Sequence, residues 1–523
     1  MEDLPDEVLE SILGKVNPYE DAENCALVCS RWRRVMLVVR QRRKGRFMSG
    51  LLSGSLCVSK GRKAEKILRI AKRYSHSAIY YDKGLFVFGG CTSTSTTFND
   101  LWRLDLSTRT WMRTSSTGRY PSPKACASLV LYEEELYLFG GWSSLSPYRL
   151  IGSWKLLNEL HVYNPLLNKW TLFEESSESR APPCSAGHTA SIHGEAMIVF
   201  GGLQKSAAIG NFSSSNDIWI FNIPLKSWSI LPPTPMRPQP RFGHSQIKLS
   251  EEHLLIIGGC DSNGVFHDVW LFDMSKEPWK WYRCEVANPQ YGANDSWCHP
   301  ACKVDDYVVI LCMNNVNPKD SSNGRQWNIN PDLRRGMNRG DGAFWHHNRR
   351  REDFADPVPE PPSNEVVQGH IIRPDPYGER MKAFTIPVNR SNIVPTRKSL
   401  ETRQKQLDVL KKMEDRLLKF KAQEQQRSNC GQTDSSKKLV LHILDISKAI
   451  SNRVVSWLQI KTSYAYQSPE ETLLYSLVTC RSELVMFGGI QMEASSARSA
   501  TPDQTKESVS NTTYYFSPFH EII

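Results

Sequence analysis

Five times in 523 residues a short apolar run ends in two consecutive glycines: Gly89-Gly90, Gly140-Gly141, Gly201-Gly202, Gly258-Gly259 and Gly488-Gly489. The runs before them, such as Leu85-Phe86-Val87-Phe88 and Met197-Ile198-Val199-Phe200, read as strands. The first four doublets begin at 89, 140, 201 and 258, so the spacings are 51, 61 and 57 residues. Strand-rich units repeating at such a period mark a β-propeller, in which blades too small to bury both faces stack around an axis.

A second apolar pattern follows each of these four doublets after a loop of variable length. It reads Asn99-Asp100-Leu101-Trp102, Asn158-Glu159-Leu160-His161, Asn216-Asp217-Ile218-Trp219 and His267-Asp268-Val269-Trp270. Nine residues beyond the last residue of each stands a tryptophan: Trp111, Trp170, Trp228 and Trp279. A constant spacing behind a variable loop predicts a strand, a tight turn and a return strand. Upstream, Tyr74-Ser75-His76-Ser77, Ala186-Gly187-His188-Thr189 and Phe242-Gly243-His244-Ser245 open a further strand, which makes four antiparallel strands per unit. The glycines supply φ > 0 and are expected to release the chain into loops, while the tryptophans bury a large ring between blades. Together these residues resemble the kelch repeat over about 73–312 and 437–523, and as core and turn positions they are not expected to touch a ligand.

A fifth unit begins at Trp297-Cys298-His299-Pro300 and Tyr307-Val308-Val309-Ile310-Leu311, but Cys312-Met313 replaces the glycines. Its second half resumes at Leu439–Ile446 and Val454-Val455-Ser456-Trp457, so residues 313–436 are expected to be an insertion within blade five. A sixth unit runs from about Glu471 to Phe516. Its trailing tryptophan position falls on Ile523, so a segment near Glu65 to Ile70 is expected to supply the missing outer strand and hide the sheet edge.

The first fifty residues have a different period. Pro5 suits a first helical turn, and Val8, Leu9, Ile12 and Leu13 form an apolar stripe. Some forty residues cannot enclose a core of their own, so their apolar faces call for a partner helix. Leu4-Pro5-Asp6-Glu7-Val8-Leu9, followed by Ala26-Leu27-Val28-Cys29 and Trp32, resembles the F-box over residues 1–47. In that family the module docks on Skp1, which bridges to a cullin and a RING subunit. The resemblance assigns Leu4, Pro5, Val8, Leu9, Ile12, Leu27, Val28 and Trp32 to the Skp1 contact. This helical segment is expected to be separable from the propeller.

The expected organisation is an all-β six-bladed kelch β-propeller preceded by a small α-helical F-box, with a disordered and helical insertion within blade five. The boundaries are 1–47 for the F-box, 48–72 for a basic linker with the closing strand, and 73–312 for blades one to four and half of blade five. Residues 313–436 form the insertion, with a helix near 399–427 carrying Leu410, Met413, Leu417 and Phe420, and 437–523 complete the ring. One F-box, one kelch propeller and an insertion late in the propeller resemble F-box proteins that carry just one of each module. The resemblance implies a non-catalytic substrate-recognition subunit of a Skp1–cullin–F-box E3 ubiquitin ligase, whose propeller binds the protein to be ubiquitinated. The alternative is a non-ligase kelch scaffold for cytoskeletal, acidic or nucleic-acid partners, because residues 31–73 hold fifteen Lys/Arg against Glu65 alone.

Other classes find little support. Thirteen cysteines occur without a C-x-x-C pair, and His346-His347 lack further ligands at a suitable spacing, so neither a metal nor a cofactor is expected. No apolar run approaches the length of a membrane span, and the acidic start Met1-Glu2-Asp3 is no signal peptide. A cytoplasmic or nuclear location is expected, with no membrane partner and no nucleic acid. Substrate contacts are expected in the loops after the doublets, at Trp142, Tyr148, Arg149, Trp154, Phe212 and Phe266, since arginine and aromatic residues anchor interfaces.

Overall fold

Strands of four residues or so, each ending in a turn, recur through the computed structural model, which describes residues 4–61, 69–94, 96–144, 155–174, 181–205, 212–293, 297–313, 438–460, 468–491 and 508–518. They build six sheets of four or five strands among the described residues, besides three small two- or three-stranded ones. Blade 1 comprises Ser77–Tyr81, Gly84–Phe88, Leu101–Asp105 and Thr110–Arg113, in that order from the axis outward. Blades 2, 3 and 4 repeat the plan, beginning at Ser128–Tyr132, Thr189–His193 and Ser245–Lys248. Blade 5 joins Ala301–Val304 and Tyr307–Met313 to Leu439–Asp445 and Val454–Trp457, across the insertion. Blade 6 holds Ser476–Cys480, Glu483–Phe487 and Thr513–Ser517. The first strands of the six blades neighbour one another in cyclic order, and that of blade 6 lies against that of blade 1.

The outer strand of blade 6 comes from the N-terminal part of the chain, but earlier than expected. Cys57–Lys60 pairs antiparallel with Thr513–Ser517, in the register Cys57↔Ser517 to Lys60↔Tyr514. The segment 65–70 does not supply it; residues 65–68 lie outside the described residues, and Arg69 and Ile70 are in no strand. The insertion from 314 to 437, including the expected helix at 399–427, also lies outside the described residues.

Closure of the disc rests on backbone chemistry. Each first strand is entered through one left-handed residue: Ser75, Cys126, Gly187, Gly243, Cys298 and Leu474, with φ between 52° and 67°. The N–H of each donates to the carbonyl of its predecessor around the axis. The bonds are Cys126 to Ser75 (2.9 Å), Gly187 to Cys126 (3.0 Å), Gly243 to Gly187 (2.9 Å), Cys298 to Gly243 (3.1 Å), Leu474 to Cys298 (3.1 Å) and Ser75 to Leu474 (2.9 Å). The circle is complete.

The glycine doublets are joints between blades rather than mere exits into loops. The second glycine donates to a carbonyl at the entrance of the next blade: Gly90 to Lys124, Gly141 to Ser185, Gly202 to Arg241 and Gly489 to Arg73, at 2.8–2.9 Å. Gly141 has φ +96, and a Cβ there would lie 2.8 Å from the Ala125 carbonyl oxygen, so only glycine fits without strain.

Two of these entrances carry a fully buried arginine. Arg73 donates to the Gly89 carbonyl (2.9 Å) and in bidentate fashion to Asp100 (2.7 and 3.0 Å); Trp102 Nε1 also donates to Asp100 (2.6 Å). Arg241, Gly258, Asp268 and Trp270 repeat the arrangement in blade 4. Burial pushes both carboxyls up, yet the arginine beside each holds it below the usual carboxylate range. The return-strand tryptophan is Trp111, Trp170 and Trp228 in blades 1 to 3, facing Leu104, Tyr163 and Phe221. In blade 4 the residue facing Phe272 is Trp281, not the expected Trp279, because the turn between Asp273 and Lys280 is two residues longer.

Three helices precede the disc among the described residues: α1 (Asp6–Leu13), α2 (Asp21–Val28) and α3 (Ser30–Ser53). Leu9, Leu13, Ala22, Val35, Met36 and Val39 form their small core. The third helix continues past residue 47, and Phe47 and Leu51 join Val304, Leu441, Leu484 and Phe516 in one cluster with blades 5 and 6. Tyr19, between the first two helices, is buried among Leu85, Val87, Trp102, Val485 and Tyr515 at the seam of blades 6 and 1. The expectation of a separable helical unit therefore fails: the apolar surface that forty residues cannot cover is covered in part by the propeller.

Candidate partner-binding surfaces

The helical unit sits at one end of the disc. Beside its apolar packing, it makes polar contacts to turns: Asn17 Nδ2 donates to the Ser107 carbonyl (3.2 Å), Arg481 Nη1 to the Pro18 carbonyl (2.8 Å), and Lys44 pairs with Asp305 (2.8 Å). Arg481 also pairs with Glu23, and Lys83 stands 3.9 Å from the same carboxylate. The centre of this contact is Glu483, only 4% exposed, which accepts from the Tyr19 hydroxyl (2.5 Å) and from both terminal nitrogens of Arg109 (2.9 and 2.8 Å). Burial, and then Glu483, raise the Tyr19 pKa, so the phenol stays protonated and donates. Each of these turns joins the first and second or the third and fourth strands of a blade, at the end opposite the glycine doublets.

Away from the propeller, the helices leave apolar side chains uncovered. Val8 (44%), Ile12 (43%), Leu27 (72%) and Val28 (61%) are exposed, as is Pro5, and Leu4 is half-buried. Val8 and Ile12 are one turn apart and share a face of α1. One residue assigned to the Skp1 contact is placed differently. Leu9 is fully buried in the helical core, whereas Trp32 is only half-buried against the same core. Leu9 is held there because α3 packs across that side of α1, which the alternation of neighbouring apolar residues does not reveal. Leu37 and Val38 on α3 are exposed as well and were not anticipated from the sequence. Much of the basic excess of this region is engaged: Arg31 pairs with Asp6, Arg42 with Glu10, and buried Arg43 donates to the Gly14 and Val16 carbonyls.

At the doublet end the candidate substrate residues separate. Trp142 is buried, packed with Tyr74, Leu156 and Ala186. Phe266 is half-buried with the Arg241 guanidinium 4.3 Å from its ring centre, so it covers the buried Arg241–Asp268 pair. Phe212 is a half-buried strand residue pairing with Lys205. Tyr148, Arg149 and Trp154 lie outside the described residues. Trp142, Leu156 and Leu203 line a cavity on the axis, together with all six left-handed residues of the backbone circle. Sequence reasoning missed it because those six residues are chemically unlike one another.

Among the described residues, no group of three or more His, Cys, Asp or Glu could hold a metal, and the twelve cysteines are free thiols. No described helix is long and apolar enough to cross a membrane.

Residues 1–37 match the family model described as F-box-like, and residues 73–279 match the one described as FBX42, beta-propeller domain. Kelch domain-containing protein 3 of Homo sapiens is 29% identical over 256 residues, which is 47% of this chain and 63% of that protein. Kelch domain-containing protein 2 of Bos taurus is 26% identical over 261 residues, 46% of this chain and 61% of that protein. The chain therefore spans less than two thirds of the length of these relatives. A solved structure titled "Structure of YjhT" is 18% identical and covers 49% of this chain and 78% of its own, with a TM-score of 0.36. Proteins that join these two modules are typically non-catalytic adaptors that recognise substrates for Skp1–cullin–F-box ligases. With its helical module at one end of the disc and its repeats around the axis, the chain is an F-box/kelch-repeat protein.

Proposed function

We propose that this chain docks on Skp1 through its F-box and holds a protein to be ubiquitinated at the doublet end of its propeller, serving a cullin–RING ligase as its substrate-recognition subunit. The observation that carries this reading is the uncovered apolar surface of Val8, Ile12, Leu27 and Val28 on a module whose other side is clamped to the propeller. Soluble domains rarely leave such a face without a partner. A Skp1-type helical partner would cover it, and the doublet end would point away from the ligase core. Catalysis then needs no residue of this chain, because holding a lysine near a charged conjugating enzyme supplies proximity to chemistry performed elsewhere.

The test is capture of recombinant Skp1 by the full chain. Val8→Asp combined with Leu27→Asp is expected to abolish capture while stability shifts by no more than about 0.5 kcal/mol per site, as at other exposed positions. Retention of Skp1 by this double variant, or failure of the unaltered chain to capture Skp1, would refute the reading.

A further inference from the structure

The axial cavity has a volume of about 190 Å³, and its chemistry is unusually one-sided. Its lining includes Trp142, Leu156, Leu203 and Phe242, and among the described residues no side chain there is an acid, a lysine or an arginine. Burial pushes the imidazoles that line it down to about 3 for His76 and His244 and about 4 for His188 and His299, so all four are neutral near pH 7. The nearby cations are spent, Arg73 on Asp100, Arg241 on Asp268 and Lys124 on Glu159.

Backbone groups offer no more. The six N–H groups of the left-handed residues lining the cavity all donate to one another's carbonyls around the axis. Tyr475 turns its hydroxyl to the Leu311 carbonyl (2.6 Å). An incoming carboxylate would meet no cation, and the unpartnered Nδ1 atoms of His76, His188, His244 and His299 are buried out of its reach; an ammonium would meet no anion. Either would lose its hydration without compensation, whereas an apolar group gains by leaving water. A dry apolar cavity of about 150 Å³ is known to accept benzene, so this volume suits one aromatic ring.

The lining is also asymmetric. The position after each left-handed residue holds His76, His188, His244 and His299 in blades 1, 3, 4 and 5 and Tyr475 in blade 6, all buried. In blade 2 it holds Ala127, which is only half-buried. Three of the imidazoles bridge to the preceding blade: His76 Nε2 with Ser476 Oγ (3.0 Å), His188 Nε2 with Ser128 Oγ (3.0 Å) and His244 Nε2 with Thr189 Oγ1 (2.7 Å). At Ala127 that bridge is missing: the preceding blade's Ser77 hydroxyl donates to the Ala127 carbonyl instead (2.7 Å). One ring is absent from a circle of six.

We propose that this cavity seats a single uncharged aromatic side chain of the protein recruited to the propeller, with the place left open at Ala127 as its specificity-determining notch. This rests on the propeller being the recruiting module. The experiment uses the full chain and three probes that share one ring and differ in charge: toluene, benzoate and benzylammonium. Saturation-transfer NMR and calorimetric titration are expected to show saturable toluene binding, with both ions at least tenfold weaker.

Ala127→His restores the residue that four other blades carry, and is expected to abolish toluene binding without lowering the melting temperature. Should that variant fail to fold, Ala127→Leu fills the same place, and Ala127→Ser, which keeps it open, should bind as the unaltered chain does. No toluene binding, equal binding of the ions, or toluene binding indifferent to the notch substitutions would overturn the inference. Skp1 capture is measured on the same samples. Captured Skp1 without toluene binding defeats only the cavity assignment, and toluene binding without Skp1 capture defeats only the ligase reading.

Discussion

Removing the Tyr19 side chain should unfasten the F-box from the propeller, and the structure sets the scale of the effect. Tyr19 is 2% exposed, its ring packed among residues of blades 1 and 6 and its hydroxyl bonded to Glu483. Truncating a large buried ring to alanine costs about 3–5 kcal/mol. Tyr19→Phe isolates the polar part: it keeps the ring and deletes a hydrogen bond to a buried carboxylate, which costs about 1.5–3 kcal/mol. Arg109 still holds Glu483 in both variants, so the carboxylate is not left alone.

Urea unfolding of the full chain, followed by circular dichroism, measures the total. Hydrogen exchange at Cys57–Lys60 and Thr513–Ser517 reports where the loss falls, since this pair closes blade 6 beside the seam. The alanine variant should lose the most stability, with faster exchange at this pair than in blades 3 and 4. A chain lacking residues 1–45 should resemble the alanine variant, because it loses Tyr19 while keeping Phe47, Leu51 and the closing strand. If Tyr19→Ala costs under about 1 kcal/mol, the seam does not depend on the F-box and the reasoning fails.

Two further outcomes follow from the buried polar groups. Arg241→Met strands the Asp268 carboxylate and should cost about 3–5 kcal/mol in urea unfolding, with part recovered by adding Asp268→Leu; a neutral single substitution would contradict a buried pair. The four axial imidazoles are held near 3 to 4, below the 6.5 of an unfolded histidine. The unfolded chain therefore binds more protons as pH falls, so their contribution is full above about 6.5 and each costs up to about 1.4 kcal/mol per pH unit below it. His188→Gln should flatten the stability profile between pH 6.5 and 4, and an unchanged slope would show that His188 is not buried in its neutral form.

What was legible in the sequence was what side chains do repeatedly. The doublets, the strand after each and the resumption of blade five at Leu439 all follow from apolar periodicity and glycine spacing. Trp281 was misread as Trp279 because a count of nine presumes a constant turn length, and the turn in blade 4 is longer. The closing strand was misplaced because the segments at 57–60 and 65–70 both offer apolar residues, and only pairing with a distant strand separates them. The circle around the axis left no trace at all: Ser75, Cys126, Gly187, Gly243, Cys298 and Leu474 share a backbone conformation, not a side chain. One further regularity is visible in the sequence. Arg73 and Arg241 each precede an aromatic residue, a left-handed residue and a histidine, and each has its aspartate 27 residues later.

The placement of the two ends gives the clamp its meaning. A recruiting domain on a flexible linker presents its cargo over a broad cloud of positions, and the effective concentration of any one lysine falls as that cloud widens. Here the F-box is held by turns from blades 5, 6 and 1 through Lys44–Asp305, Arg481–Glu23, Tyr19–Glu483 and the packing of Phe47 and Leu51. None of those contacts involves the exposed Val8, Ile12, Leu27 and Val28. The apolar surface proposed for Skp1 and the cavity at the doublet end are thus set at a fixed distance by packed structure. Bound cargo would be presented along one direction, and its reach toward the conjugating enzyme would depend on the shape of the cargo rather than on motion within this chain.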